Sequence, residues 1–488
     1  MASAEHIVVV GGGIAGLAAA HALLPAARES SRPLRITVLE TGNRWGGKIL
    51  TERLDGFVIE GGPDTFLVAK PWAVKLCREL GIEDRLQGTN PNQNATYILK
   101  NGRLHPIPGG LTMMIPTEFG PMLRSRLLSW PAKLRMGADL VLPPGTPDVE
   151  ESMGDFVTRR LGRAAYEALI EPLMSGIYAG DGDRLSIQAT LPYLPELERK
   201  HGGLIRGALR ARHERQKNGG APGPGSRSLF LTPTSGLIEI VEALTANLER
   251  NGVDLRLQSP VRWIRRVKSD FVMELADSDT IVAQGIVLAT PSYVSAELLS
   301  ELDPLLAAEL AAIAYVSTAT VSLAFRASQI RHPLNGYGYV IPRSEGRAAL
   351  ACTWTSTKFP HRAPERHVLL RVFIGRAGQE GEIPWDAAGL IGLAQRELAE
   401  TLGIVAEPIF ARAFLWERAM PQYNRGHLDR LKRIEARLES LPALALAGNA
   451  YRGIGIPDCI HSGQLAAEGV LASLNLHSDQ HPQRERVT

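Results

Sequence analysis

The sequence predicts an α/β fold, and three stretches near its beginning carry that prediction. Residues 6–10, HIVVV, are rich in β-branched side chains, which is typical of a buried strand. Ile14–Leu24 is a helical pattern rich in Ala and Leu, and residues 34–40, LRITVLE, are a second strand pattern. The order strand, tight turn, helix, strand predicts a βαβ unit with parallel strands.

The turn of this unit contains glycines at the spacing GxGxxG, namely Gly11, Gly13 and Gly16. In such a turn the first glycine permits the bend, the second lets backbone approach a pyrophosphate, and the third lets helix and strand pack closely. Glu40 follows the second strand, where an acid binds the ribose hydroxyls of a dinucleotide. A plain tight turn is the alternative, but these surroundings favour a Rossmann-like dinucleotide site. The predicted contacts are Gly11, Gly12, Gly13, Ile14, Ala15, Gly16, Glu40 and Thr41.

The remaining chain divides by pattern into three kinds of segment. Later strand and helix patterns are predicted to return to the first sheet, helical segments form an insertion, and a strand-rich region with one helix forms a second, α+β domain. The predicted domains are a cofactor-binding domain (1–85, 228–300 and 430–488), a substrate domain (86–109 and 301–429) and a helical insertion (110–227) that ends in a mobile Gly/Pro/Ser-rich loop (215–228).

Composition excludes several classes of protein. The 488 residues, with 44% hydrophobic and 22% charged side chains, are typical of a soluble globular chain of two or three domains. A formal net charge of +3 is too small for a nucleic-acid binder. The three separated cysteines argue against a disulfide framework or a zinc site and favour a reducing cytoplasm. We expect no membrane-spanning helix, secretory signal or metal.

Residues 44–48, RWGGK, resemble the RxGG extension that follows the ribose acid in the flavoprotein amine-oxidase superfamily. The resemblance implies FAD rather than NAD, with Arg44, Gly47 and Lys48 near its pyrophosphate. An arginine fork matches phosphate oxygens well. A Gly-Gly turn beside a surface arginine is the alternative interpretation.

Residues 60–66, EGGPDTF, provide another side-chain-free turn, where a flat flavin ring could lie against the backbone. A simple bend is the alternative. In the same superfamily, the position of Val261 lays backbone against the adenine, although a plain strand valine is an equal alternative. The predicted contacts in the turn are Gly61, Gly62, Pro63, Asp64 and Thr65.

A second glycine cluster, GNAYRGIGIPDCIHSGQ, lies at residues 448–464. It is predicted to serve the other end of FAD, with Gly448, Ile454, Gly455 and Ile456 presenting backbone to the isoalloxazine. Asp458 is expected to cap a final helix, from about 459 to 474, whose positive end stabilises the anionic reduced ring. A glycine-rich loop before an ordinary capped helix is the alternative.

From end to end the chain resembles the oxygen-dependent porphyrinogen oxidases of haem biosynthesis, specifically the bacterial coproporphyrinogen III oxidase branch. The motifs include VVVGGGIAGLAAA, RWGGK, EGGPDTFL, IEPLMSGIYAGD, AMPQYNRGH and, most specific, GIGIPDCIHSG. The resemblance implies removal of six electrons from a porphyrinogen in three steps, with O2 reoxidising the flavin and H2O2 as product. An amine oxidase, a carotenoid desaturase or a non-catalytic flavin-binding protein are the alternatives.

The resemblance also implies residues on the substrate side. Lys70 stands where bacterial members place a lysine suited to a propionate, and Trp416 resembles a flavin-proximal tryptophan of the family. A surface lysine and an ordinary packed tryptophan are the alternatives. The candidate apolar wall for the macrocycle, each member of which could instead be core, is Ile177, Tyr337, Val340 and Phe373.

Two departures leave the substrate open. Eukaryotic protoporphyrinogen oxidases have basic residues where this chain has Asp64 and Thr96. Together with Lys70, this favours coproporphyrinogen, with four propionates, over protoporphyrinogen, with two. Partners also stay open: the basic, Met- and Leu-rich segment 110–145 suits either packed helices or contact with a lipid surface. A monomer, a homodimer and transient contact with a haem-pathway chelatase are all compatible with the sequence.

Overall fold

The structure is a computed structural model that describes residues 4–29, 33–112, 114–146, 149–217 and 228–475. The predicted mobile loop at 215–228 falls largely on 218–227, which lie outside the described residues. Its first three residues, 215–217, are helical and differ from the prediction, because the preceding helix continues through them.

Twenty-two strands and seventeen helices follow one another along the described residues. The strands are β1 (Glu5–Val10), β2 (Leu34–Leu39), β3 (Thr51–Leu54), β4 (Phe57–Glu60), β5 (Phe66–Leu67), β6 (Leu86–Gly88), β7 (Thr96–Lys100), β8 (Arg103–Pro106), β9 (Leu111–Thr112), β10 (Ile115–Pro116), β11 (Phe230–Pro233), β12 (Asp254–Arg256), β13 (Val261–Val267), β14 (Asp270–Leu275), β15 (Thr280–Ala283), β16 (Gly285–Leu288), β17 (Tyr315–Arg326), β18 (Gly338–Val340), β19 (Ala349–Thr353), β20 (His367–Ile374), β21 (Phe410–Pro421) and β22 (Leu444–Leu446). The helices are α1 (Ile14–Glu29), α2 (Trp72–Glu79), α3 (Phe119–Arg124), α4 (Trp130–Gly137), α5 (Met153–Leu161), α6 (Arg163–Ala165), α7 (Glu171–Tyr178), α8 (Ile187–Thr190), α9 (Tyr193–His201), α10 (Leu204–Lys217), α11 (Ile238–Arg250), α12 (Ser292–Leu299), α13 (Pro304–Ala311), α14 (Thr355–Lys358), α15 (Ala387–Leu402), α16 (His427–Leu438) and α17 (Ile456–Ser473).

A parallel sheet in the order β12-β2-β1-β16-β22 forms the centre of the first domain. Ile7 pairs with both Ile36 and Gly285, so β1 is a central strand, and Ile7 to Val9 are fully buried. Because all five strands are parallel, their carboxyl ends meet at one edge. That edge carries the beginning of the glycine turn, Glu40 and the loop that starts at Ala447. Ligands of such sheets bind at this edge, where strand order reverses beside β1.

The first and last helices of the chain pack directly against each other. A Cβ on Gly463 of α17 would lie 2.1 Å from the carbonyl oxygen of Ala15 and 3.0 Å from the amide nitrogen of Ala19, so only glycine permits this approach. Helix α17 begins at Ile456, three residues before the predicted start, because Pro457 is accepted in the first turn of a helix. The nucleotide turn and the carboxyl-terminal glycine loop are thereby fixed side by side.

The second domain is a mixed sheet in the order β21-β17-β20-β19-β18-β7-β8. One of its faces, represented by Leu323, Val372 and Ile374, packs with Leu398 of α15 into an apolar core. The opposite face alternates with these residues along the strands and is turned toward the first domain and the helical region. The candidate site lies between this face and the parallel sheet.

Helices α3–α10 form the predicted helical region around a core of their own, which includes Phe156, Met174 and Leu194. A π-helical turn, Tyr166–Ile170, separates α6 from α7. Helix α13 lies beyond the predicted boundary at 300, yet its apolar face packs with the first domain, as α12 does. In the part of the chain that the structure describes, no helix is long and apolar enough to cross a membrane.

Candidate functional site

The amino-terminal glycine turn is shaped by backbone contacts. Gly11 has φ +111°, and a Cβ on it would lie 2.8 Å from the carbonyl oxygen of Ala289, which directly follows the neighbouring strand β16. A Cβ on Gly16 would lie 1.9 Å from the Gly11 carbonyl oxygen. Both positions therefore require glycine for the turn itself, as the spacing predicted.

A second glycine pair closes against this turn. The Gly46 N–H donates to the Gly12 carbonyl at 2.8 Å, and Gly13 forms an isolated parallel bridge with Gly46. At Gly13 an added Cβ would meet nothing nearer than the Cα of Gly47, at 4.0 Å. The two loops thus make a floor of bare backbone that is open beside Gly13.

Glu40 lies where the sequence places it, at the end of β2 beside the turn. Its two carboxylate oxygens accept the N–H groups of Gly12 and Gly42, each at 2.7 Å. Each oxygen retains acceptor capacity for a hydroxyl donor. The carboxylate therefore fixes the turn, and its contact with a ribose stays a prediction.

Arg44 bonds within its own loop, and its contact with a pyrophosphate stays a prediction. Its Nη1 donates to the carbonyl of Ile49 at 3.0 Å and its Nη2 to that of Gly47 at 2.6 Å. The guanidinium therefore braces the glycine loop from within instead of presenting a free fork to a phosphate. The reason is local, since a loop that turns through two glycines exposes carbonyls that need donors.

Lys48 is the other basic residue of this loop, and its ammonium forms no bond with the described parts of the loop or its neighbours. Its partly buried ammonium has no hydrogen bond or ion pair with the residues that the structure describes, and it lies near Cys459 at the start of α17. Burial lowers the pKa of this ammonium. An unpartnered cation between the two glycine regions fits a ligand that carries negative charge.

The Gly61–Gly62 turn is packed closely against other parts of the protein at both glycines. A Cβ on Gly62 would lie 1.8 Å from the Lys48 carbonyl oxygen, and one on Gly61 would lie 2.8 Å from the Phe414 ring. The predicted reason for these glycines, approach of a ring, is therefore incomplete, because protein packing alone already requires them. The Gly61 carbonyl accepts from Trp416 Nε1 at 2.8 Å and from Thr320 Oγ1 at 2.7 Å.

Asp64 pairs with a lysine of the second domain. Its carboxylate forms an ion pair with Lys358 of α14 at 3.0 Å and accepts from Thr65 Oγ1 at 3.1 Å. Burial opposes the ionisation of Asp64, but the Lys358 ammonium and the Arg371 guanidinium outweigh it and lower its pKa to about 2. A cofactor contact at Pro63–Thr65 would therefore use backbone, since the Asp64 side chain ties the turn to the second domain.

The carboxyl-terminal loop is held by side chains from several elements. The Gly448 N–H donates to Ser462 Oγ at 3.0 Å, and Gly448, with φ +120°, has open space where a Cβ would stand. The Gly453 N–H donates to the hydroxyl of Tyr423 at 3.0 Å, and that hydroxyl donates to the Asn449 carbonyl at 2.6 Å. Tyr423 is fully buried, so this brace is sheltered from water.

Asp458 caps α17 as predicted, because its Oδ2 accepts the Gly455 N–H at 3.2 Å. Lys70, predicted to face a propionate, donates to both oxygens of the same carboxylate at 2.6 and 2.7 Å. The ammonium is therefore paired with Asp458 in this structure, and its contact with a propionate stays a prediction. Trp72 stacks on His461 at 4.0 Å, so the whole 70–72 segment docks on the first turns of α17.

Strand register places two of the four candidate wall residues on one face. Trp416, Phe373 and Val340 share the sheet face that is turned toward the first domain. Phe373 and Val340 both pair with Ala351. On β17, Thr320 pairs with Phe373 and Thr318 with Trp416, and these two threonines lie on the same face. Val340 and Ile454 both pack against the core of the helical region. The apolar side of the site is therefore formed where the second domain, the helical region and the last loop meet.

The other two wall candidates lie apart from this row. The Tyr337 hydroxyl contacts Thr89 Oγ1 at 2.8 Å and the Asn90 carbonyl at 2.9 Å, so its polar end is anchored in a loop. Ile177 on α7 is 51% exposed and joins no described core. Val261 begins β13, just after Ser259, whose N–H donates to the Glu40 carbonyl at 2.9 Å, so it lies near the predicted ribose end.

The fold and site define a two-domain dinucleotide-binding oxidoreductase. The defining features are a parallel sheet with a glycine turn at its carboxyl edge, an acid at the next strand, and a second glycine loop beside the last helix. The open backbone beside Gly13, the unpartnered Lys48 ammonium and the open space at Gly448 fit a negatively charged cofactor such as FAD. Among the described residues no cluster of three or more His, Cys, Asp or Glu side chains could hold a metal.

Comparison with known proteins gives the same class. Residues 14–471 match the family described as flavin containing amine oxidoreductase. The chain is 36% identical to a coproporphyrinogen III oxidase of Bacillus subtilis (strain 168), over 96% of this chain and 98% of that protein. It is 34% identical to one of Propionibacterium freudenreichii subsp. freudenreichii, over 100% and 94%.

A solved structure from Exiguobacterium sp. 255-15, provisionally described as a protoporphyrinogen oxidase, superposes with a TM-score of 0.84 at 34% identity, covering 97% of this chain and 99% of that one. The chain belongs to the flavin containing amine oxidoreductase family. Its cofactor is accordingly FAD, as the sequence predicted.

Several residues that shape the site were not predicted from the sequence. Tyr423 and Thr320 act through contacts with loops far away in the sequence, and their local sequence carries no signal for that. Ser462 lies within the carboxyl-terminal glycine cluster, but the sequence does not show that its hydroxyl accepts from Gly448. Arg371 did leave a signal, since a charged side chain inside the apolar strand HVLLRVFI needs a buried partner.

Proposed function

We propose that this protein is an FAD-dependent oxidase that converts coproporphyrinogen III to coproporphyrin III. Six electrons and six protons leave the substrate in three two-electron steps, and three O2 molecules accept them to give three H2O2. The names of the bacterial relatives support this substrate.

The observation that carries the proposal is the shared face of Trp416, Phe373 and Val340 beside the Gly61–Gly62 turn. Trp416 binds the turn directly through its indole N–H. Phe373 and Val340 are only partly buried, so apolar surface remains beside the turn. A flat, largely apolar macrocycle with polar groups at its rim suits such a wall.

Bound FAD would supply the two-electron acceptor for a carbon-bound hydrogen. The chain's own residues then have to bind and orient the substrate and exclude water. A nucleophile is not required of them, and the cysteines are poor candidates for one: burial raises the pKa of both the Cys77 and Cys459 thiols to about 12. This chemistry favours an oxidase over a hydrolase.

The substrate test compares three reductants under air with the purified, FAD-loaded protein. We expect rising porphyrin fluorescence and three equivalents of peroxide with coproporphyrinogen III, and a lower kcat/KM with protoporphyrinogen IX. The reverse preference would support the runner-up function, protoporphyrinogen oxidase. Turnover of putrescine, with neither porphyrinogen oxidised, would support an amine oxidase instead.

A matched pair of variants tests the wall. Phe373→Ala should raise KM for coproporphyrinogen about tenfold, since a large apolar contact is worth roughly 1.5–3 kcal/mol, with FAD content unchanged. Phe410→Ala removes the same ring from the same sheet, at the end where it packs on Phe57 at 5.0 Å. An unchanged KM in the first variant, or an equal rise in both, would remove Phe373 from the substrate wall.

We also propose that the enzyme is cytoplasmic and that α3 and α4 let it contact anionic lipid transiently. Three buried, unbridged cysteines are consistent with a reducing compartment. Four large apolar side chains on these helices are between 45% and 75% exposed, and Arg124 is exposed on the same segment. The four are Phe119, Leu123, Trp130 and Leu134.

Co-sedimentation with vesicles tests the lipid contact. Binding to phosphatidylglycerol vesicles at low salt, weak binding to phosphatidylcholine, and loss of binding in Trp130→Glu/Leu134→Glu are expected. Val405→Glu, at a side chain that is 84% exposed on another part of the surface, is the control. Equal sedimentation of wild type and double variant would reject the contact.

A further inference from the structure

Five charged side chains form a buried cluster behind the Gly61–Gly62 turn, which we call the turn cluster. It lies where the end of β4 meets β20, α14 and the segment after α14. Each of its side chains is less than one-fifth exposed. The members of the turn cluster are Glu60, Asp64, Lys358, Arg362 and Arg371.

Each carboxylate in the turn cluster has its own cation. Glu60 pairs with Arg362 at 3.1 Å, and its oxygens also accept from Thr51 and from the Leu237 N–H. Asp64 pairs with Lys358 at 3.0 Å. Two acids and two bases are therefore matched by contact, and Arg371 remains as a third cation.

Arg371 is 2% exposed and has no carboxylate in ion-pair contact among the residues that the structure describes. Its Nη2 donates to the Gly62 carbonyl, and its guanidinium lies 4.6 Å from the centroid of the Phe373 ring. Its Nε and Nη1 are buried and have no hydrogen-bond partner. Asp64 and Glu60 lie near enough to act on it electrostatically, but neither contacts it.

The turn cluster therefore carries at least one excess positive charge at neutral pH, because a guanidinium does not lose its proton in a protein. That charge is directly behind the Gly62 peptide. In a buried site of low dielectric, such a charge is screened much less than at the surface. It favours any neighbouring group in its more negative form.

We propose that Arg371 is a positioning residue that holds Gly62 and raises the two-electron reduction potential of FAD bound at the Gly61–Gly62 turn. The inference rests on the FAD-dependent function proposed above and on the turn as the flavin side of the site. Reduced flavin bears negative charge that oxidised flavin does not, so an uncompensated cation behind the turn stabilises the reduced form.

The test measures the midpoint potential of bound FAD by equilibration with a reference dye during slow enzymatic reduction. Arg371→Met should shift the reduction equilibrium toward oxidised flavin at least tenfold, which is about 30 mV for a two-electron couple. Arg371→Lys keeps the charge and should recover most of the shift. No porphyrinogen is needed, so failure here is separable from failure of the substrate assignment.

Arg376→Met is the matched control. Arg376 follows the same strand and is fully buried, and its Nε and Nη1 also lack a hydrogen-bond partner. Unlike Arg371, it pairs with Glu171 at 3.9 Å and contacts the carbonyls of Ile341 and Ala349 instead of the turn. It should lower the melting temperature without moving the potential. A wild-type potential in Arg371→Met, or an equal shift in Arg376→Met, would overturn the proposal.

A second variant covers the case in which Arg371→Met does not fold. Lys358→Met leaves Asp64 unpaired and reduces the net charge of the turn cluster by one, so it should move the potential in the same direction. An unchanged potential in Lys358→Met would equally count against the proposal.

Discussion

The two glycine-rich regions of the site are built in different ways. The amino-terminal turn is fixed by contacts within one sheet edge: backbone fills the space of the side chains that Gly11 and Gly16 lack, and Glu40 ties the turn together. The carboxyl-terminal loop depends on long-range side chains, above all Tyr423 and the Lys70–Asp458 pair. The amino-terminal turn can thus be self-sufficient, whereas the carboxyl-terminal loop, which we predict to hold the flavin, requires the rest of the protein to be folded.

The largest effect is expected where the two regions meet, at Gly463. Gly463→Ala would place a methyl group 2.1 Å from the Ala15 carbonyl oxygen, so α1 and α17 must separate. Overpacking of this kind costs about 1–3 kcal/mol, and we expect a lower melting temperature together with loss of bound FAD. Thermal unfolding and flavin absorbance measure both.

Gly469→Ala on the same helix is the control. A Cβ there would meet nothing within 4 Å, so the substitution should stabilise the protein by about 0.5–1 kcal/mol. If both variants kept FAD and melted alike, close packing of the two helices would not be what joins the glycine regions.

The features that could be predicted from the sequence are those of the self-sufficient kind. The βαβ unit, the glycine turn, Glu40 and the cap at Asp458 could be predicted because their determinants lie within a few residues or in one strand-to-helix unit. Lys70 and Asp458 are 388 positions apart, so no local pattern revealed their ion pair. The loop-bracing role of Arg44 and the packing role of Gly62 depend on which carbonyls come near after folding.

The next effect concerns the amino-terminal region alone. In Glu40→Gln, one carboxylate oxygen becomes an NH2 group, which cannot accept a hydrogen bond. Either the Gly12 or the Gly42 N–H therefore loses its acceptor. Hydrogen bonds to a charged acceptor contribute about 1.5–3 kcal/mol, so we expect FAD to bind about 10- to 100-fold more weakly. Titration of the apoprotein measures this, with Glu301→Gln on the surface as control.

A smaller effect is expected at the carboxyl-terminal region. Tyr423→Phe removes the hydroxyl that joins Gly453 to Asn449, and part of that loss falls on stability instead of binding. We expect FAD affinity to fall by about three- to tenfold. Tyr178→Phe, which loses one long hydrogen bond of 3.3 Å to the Thr190 carbonyl, should leave FAD affinity unchanged.

The smallest effect on FAD is expected at Lys70. Its side chain is 42% exposed, and Asp458 keeps its capping bond without it. Lys70→Ala should therefore reduce the free energy of FAD binding by less than about 1 kcal/mol. A raised KM for coproporphyrinogen at unchanged FAD content would show that the lysine also meets a propionate. An unchanged KM would restrict it to docking residues 70–72 on α17.

The central claim is that one FAD molecule is held at its nucleotide end by the first glycine region and at its flavin end by the second. Calorimetric titration of the apo forms of Glu40→Gln and Tyr423→Phe, with ADP and with FAD, tests it most directly. We predict that Glu40→Gln weakens both ligands by a similar factor, whereas Tyr423→Phe weakens FAD and leaves ADP unchanged. Equal weakening of ADP and FAD by Tyr423→Phe, or ADP binding that ignores Glu40→Gln, would contradict the account.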